Sequence, residues 1–229
     1  MKKHFRIISS RPVDINLSRS FDKAYEANRR LFGKNPGEFR IIICHSQEEF
    51  RKESKYYYTK WATATVLRNG KLVIKSPFMK TKWRRSYYPN IIMHEMCHVF
   101  WTRLYRTTKP LWLNEGLACH AGKNFSGYDL KMLVGENKIS SSILQYRYIK
   151  KRLTGHIPFY PVWQGFVDHL ILKNGSQEII ALMDGYSKKP DKERYDKIFR
   201  RVFGDSEKRI FNGFLMSLKR TRQNLEKRT

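Results

Sequence analysis

Apolar and polar positions place every predicted strand before residue 89 and mostly helices after it. Residues Ser20 to Gly33 read as an amphipathic helix, with Ser20 as N-cap and Gly33 as terminus. Arg40 to Cys44 is a short apolar run of strand length. Ser46 and Glu49 have capping-box spacing and open a helix toward Tyr57. Ala62–Leu67 and Lys71–Lys75 flank Asn69-Gly70, a strong hairpin signal. Pro89 suits a first helical turn, and no glycine or further proline follows until after Tyr105. Ile91, Ile92, Met96, Val99 and Trp101 make this a mostly buried helix. A shorter one follows Pro110, with Leu111, Trp112, Leu113, Leu117 and Ala118 as its apolar positions and Gly122 as its stop.

A loop-rich stretch runs to about Pro158, and a helix is predicted from Pro161 to Lys173, closed by Asn174-Gly175. Further helices are expected over about 176–184, 191–202 and 206–222. With no internal repeat or low-complexity linker, the chain reads as one domain over 1–229, with a core of about 15–220 and a basic tail at 221–229. The segregation predicts the α+β class: a small mixed sheet and the 90–105 helix in an upper lobe, helices in a lower one.

Composition narrows the class. A hydrophobic content of 41% with 14% aromatics excludes a disordered chain, and 229 residues suffice for a substantial core. Three cysteines without CxxC spacing argue against a disulfide framework and for a reducing compartment. Cys97 reads as a small buried hydrophobe. Ile7-Ile8 gives way at once to Ser, Ser, Arg and Pro, too short for a signal-peptide apolar region. No run is long enough to span a bilayer, so the expectation is a cytoplasmic protein without a membrane partner.

Charge adds a second theme. The net charge is +26, from 46 basic and 20 acidic residues. Residues 61–160 carry 17 Lys/Arg against four acids, Glu95, Glu115, Asp129 and Glu136. Such a field attracts acidic peptides or polyanions. The basic and aromatic segment Phe78 to Tyr88 has two readings: a phosphate-gripping, base-stacking loop, or a solvated loop whose aromatics pack on the core. The second is preferred for the aromatics, and nucleic acid stays an alternative partner.

The candidate chemistry lies in two short segments. Residues 94–98 read His-Glu-Met-Cys-His, and Glu115 of Trp112-Leu-Asn-Glu-Gly116 follows seventeen positions after His98. Histidines at i and i+4 share one helix face and can reach one metal ion, while Glu95 lies beside them, off the ligand axis. The pattern HExxH alone is permissive. Here both histidines lie in an apolar helix and Glu115 lies among apolar residues, where unused polar groups are costly to bury. Three protein ligands leave a fourth position for water, the arrangement of a catalytic zinc.

HEMCH followed by WLNEGLA resembles the gluzincin branch of the clan MA metallopeptidases, which includes the small peptidase MA-like proteins and the catalytic domain of aminopeptidase N-like enzymes. The stretches 39–50, 160–170 and 195–204 extend the likeness, which covers roughly residues 15–220. The resemblance implies a zincin-like fold, one Zn2+ ion on His94, His98 and Glu115, and Glu95 as general base. It places the transition-state tyrosine on Tyr160, which stands at a helix start before Pro161; a core tyrosine is the competing reading. His156, Tyr148 and His120 remain alternatives for that donor, and His45 and His169 read as structural or surface residues. No Gly-x-Met-Glu-Asn-like segment for a substrate's free amine is present. Cys119 and His120 also depart from the small family members' pattern. The function implied is zinc-dependent hydrolysis of peptides or proteins, of the endopeptidase kind. A nucleic-acid-associated metalloprotease and a non-catalytic zincin-fold binding module are the alternatives.

Overall fold

The computed structural model describes residues 4–60, 62–79, 85–126, 130, 139–144, 159–187 and 191–226. They form a four-stranded mixed sheet and eight helices, an α+β protein, arranged as two compact units, 1–107 and 108–229. No described helix is long and apolar enough to cross a membrane.

In the first unit, β1 (Phe5–Ser9), β2 (Phe39–Cys44), β3 (Ala64–Val66) and β4 (Leu72–Lys75) lie in the order β1-β2-β4-β3. β1, β2 and β4 are parallel, and β3 pairs antiparallel with β4 at one edge. The hairpin expected around Asn69-Gly70 is this β3–β4 pair, with Gly70 at φ +77. A Cβ on Gly70 would stand 2.3 Å from Cγ of Arg103, so the turn needs glycine for its conformation and for the close approach.

Side chains alternate across the strands. Phe5, Phe39, Ile41, Ile43, Leu72 and Ile74 are buried on one face. There α1 (Ile15–Phe32) brings Phe21 and Tyr25 against Phe5, and Tyr25 also meets Phe39 and Phe100 of α3 (Tyr88–Tyr105). On the other face α2 (Gln47–Ser54) covers Cys44 and Val73 with Phe50. Each fully buried aromatic of this kind contributes about 1.5–3 kcal/mol of transfer free energy.

Two expectations shift. Helix α1 begins at Ile15, because Asp14 Oδ1 accepts from the N–H groups of Asn16 (2.7 Å) and Leu17 (3.2 Å). Ser20 is helical, and its hydroxyl donates to the Asn16 carbonyl. Ser46 caps α2 as expected, but Glu49 accepts from the N–H of His45 rather than of Ser46. That bond is the main cause holding the Glu49 carboxyl below the usual carboxylate range.

The described part of the second unit is helical: α4 (Leu111–Gly122), α5 (Phe159–Asn174), α6 (Ser176–Ser187), α7 (Lys192–Phe203) and α8 (Glu207–Glu226). Trp112 of α4 and Phe211 and Phe214 of α8 meet around Phe166 of α5. Gly122 is the last residue of α4 rather than its stop. Lys123 takes the left-handed conformation, and its N–H reaches the carbonyls of Cys119 and His120. Most of the loop-rich stretch, with His156 and Tyr148, and residues 80–84 of the basic aromatic segment lie outside the described residues.

Candidate metal centre

The two histidines belong to α3, whose placement follows from its sequence. Pro89 sits in the first turn. Tyr88 Oη donates to the carbonyls of Lys75 (3.0 Å) and Ser76 (3.1 Å), which fastens the helix start to the end of β4. Ile92, Met96, Val99 and Phe100 are fully buried. Arg103 donates to the carbonyls of Pro36 (2.7 Å) and Asn69 (3.1 Å), tying the helix to the loop before β2 and to the hairpin.

On this helix His94, Glu95 and His98 are half-buried. The Nε2 atoms of His94 and His98 lie 3.1 Å apart, with the rings edge to face at 4.8 Å between centroids. At this separation two imidazoles either share one proton or turn two lone pairs toward one cation. Two nitrogens about 2.0–2.1 Å from one tetrahedral zinc would stand about 3.4 Å apart. The pair therefore fits zinc with a shift of a few tenths of an ångström.

A buried residue that sequence reasoning missed supports this turn. Asn28 of α1 donates Nδ2–H to its own helix at Ala24 O (2.9 Å) and across to Met93 O (3.3 Å), the residue preceding His94. A buried polar residue on the apolar face of α1 was the available signal.

In the second unit, Glu115 is half-buried on α4, between buried Asn114 and buried Gly116. A Cβ at Gly116 would stand 2.7 Å from the Trp163 carbonyl oxygen and 2.8 Å from Val167 Cγ2. The glycine after Glu115 thus lets α4 lie directly against the backbone of α5. At the start of α4, the Trp112 indole N–H donates to Glu207 Oε1 at 2.8 Å, and Tyr195 Oη donates to the same oxygen at 2.6 Å. Burial pushes the Glu207 carboxyl up to about 7, despite both donors.

Tyr160 stands in the first turn of α5, 38% exposed and edge-on to Trp163. His120 Nδ1 pairs with Asp168 Oδ1, and Gln164 exchanges two hydrogen bonds with the Phe125 backbone. His45 Nε2 bonds Ser9 Oγ at 2.8 Å, and that hydroxyl already donates to the Arg11 carbonyl. The His45 ring N–H is therefore the donor. His169 packs on Phe214, and burial followed by nearby Lys173 lowers its pKa. Cys44, Cys97 and Cys119 are buried thiols.

The sequence matches no protein-family model and no curated protein.

Proposed function

We propose that this protein is a zinc-dependent peptidase of zincin-like fold, in which His94, His98 and Glu115 hold the ion and Glu95 is the general base. The observation that carries the reading is the 3.1 Å approach of the two Nε2 atoms on one face of α3, with a glutamate between them in sequence. Glu115, seventeen positions after His98 and half-buried on α4, is the proposed third ligand. Two imidazoles and one carboxylate are a donor set suited to catalytic zinc.

When bound, the ion would lower the pKa of a water molecule and polarise a carbonyl. Glu95 then accepts a proton from the attacking water and returns it to the leaving amine. Tyr160 is the proposed donor to the carbonyl oxygen as negative charge builds there, because its phenol is exposed at a helix start.

The experiment pairs metal analysis with cleavage profiling. Purified wild type is expected to hold one zinc per chain and to cut internal bonds of N-terminally blocked peptides. Tyr160→Phe is expected to lower kcat by about 10²–10³ with zinc content unchanged. A protein that takes up zinc yet cleaves no peptide would instead be a binding module. One that cuts only beside free amino termini would be an aminopeptidase.

A further inference from the structure

The face of the sheet opposite α1 carries an unneutralised pair of like charges. Arg6 and Arg40 are register partners on the neighbouring parallel strands β1 and β2, and both are exposed. Adjacent strands are about 4.8 Å apart, so the two side chains leave the sheet side by side. Like charges directly opposite one another on paired strands destabilise the pairing. Among the described residues neither guanidinium has an acidic partner or a hydrogen-bond acceptor for its side chain. The two arginines line an open cleft of about 690 Å³, together with Phe5, Phe39 and Glu38. Helix α2 covers the Cys44 and Val73 end of this face, while Ile8, next along β1, is 38% exposed.

We infer that Arg6 and Arg40 form a phosphate clamp at the open end of the sheet, and that its ligand is the sugar–phosphate backbone of a nucleic acid. Two planar forks projecting in parallel match the oxygens of one phosphate or of two neighbouring ones. A net charge of +26 spread over the chain adds a field that a long polyanion exploits better than a single small anion. Glu38 at the cleft opposes the ligand, leaving the three charged side chains at +1. The clamp reads no base, so its binding is independent of sequence and sensitive to salt.

The test measures binding of a fluorescent single-stranded oligonucleotide over a salt series. The proteins are wild type, Arg6→Gln/Arg40→Gln, Glu38→Gln, and Arg200→Gln/Arg201→Gln. The last removes two charges from exposed arginines of α7, far along the chain from the clamp. The clamp variant is expected to bind about tenfold or more weakly, with a log–log salt slope lower by about 1.4. Glu38→Gln should bind more tightly, and the α7 variant should lose less than the clamp variant. The clamp variant is also expected to melt no lower than wild type, since it relieves a repulsion. Equal losses in the two double variants would reduce the effect to net charge and overturn the inference. So would arginine-dependent binding to phosphatidylglycerol vesicles without oligonucleotide binding, which would assign the clamp to a lipid headgroup. Zinc content and peptide cleavage are read on the same variants and stay unchanged, so failure here is separable from failure of the peptidase reading.

Discussion

His94 Nε2 and His98 Nε2 meet at 3.1 Å on a helix that carries buried residues from Tyr88 to Tyr105. Glu95 sits between them in sequence and on the adjoining side of the helix, so the proposed ligand and proton-transfer roles are separable by mutation. Replacing Glu95 by Gln keeps the shape and removes the proposed base. The expected outcome is wild-type zinc content with turnover lowered by about 10²–10⁴. His94→Ala or His98→Ala is expected to lose the zinc itself. Metal analysis beside a peptide-cleavage assay checks both, and a Glu95→Gln protein as active as wild type would sink the mechanism.

The parts legible in the sequence were those written in local spacing. HExxH, the Asn69-Gly70 hairpin and the Ser46 cap each specify geometry within a few residues, and each is found. Strand β1 was missed because Phe5–Ser9 has no local signal beyond a short apolar run. It is a strand because it pairs with β2, 34 residues further on in register. The Trp112–Glu207 bond, 95 residues apart in sequence, was equally invisible. Asp14 was overlooked as a cap because polar Asn16, Ser18 and Arg19 blur the apolar period at the start of α1.

Asn28 is the second test. Its amide reaches Met93 O from α1, and burial leaves water no easy access to replace that bond. Asn28→Ala is expected to destabilise the protein by about 1–3 kcal/mol and to weaken zinc affinity. Chemical denaturation with and without chelator separates the two effects. Unchanged zinc affinity in a folded variant would confine Asn28 to packing α1 on α3.

Gly116 is the third. Nothing flexible stands where its Cβ would go: one neighbour at 2.7 Å is a backbone carbonyl oxygen. Gly116→Ala therefore forces α4 and α5 apart. The expected cost is about 1–3 kcal/mol, against the small gain that alanine brings to an unobstructed helix. Thermal unfolding measures it, and a stabilised variant would contradict the close approach. Because the preceding residue, Glu115, is the proposed third ligand, zinc affinity is expected to fall as well.

Glu207 provides a pH dependence with a defined sign. Its carboxyl is pushed from 4.5 to about 7, first by burial, with Asp196 adding to the rise and the donors Tyr195 and Trp112 and the cation of Lys192 opposing it. The folded chain thus holds this proton more tightly than the unfolded chain. The associated stability is fully present below about pH 4.5 and is lost as pH rises through 7, by at most about 3 kcal/mol. Glu207→Gln keeps an oxygen for the Trp112 and Tyr195 donors but carries no charge at any pH. Wild type and variant should therefore unfold at similar denaturant concentrations at pH 5. At pH 8 the variant should be the more stable, because the wild type must then keep a buried carboxylate ionised. Parallel melts at the two pH values decide the point. A variant less stable than wild type at pH 8 would mean that the charged form is the one the fold favours.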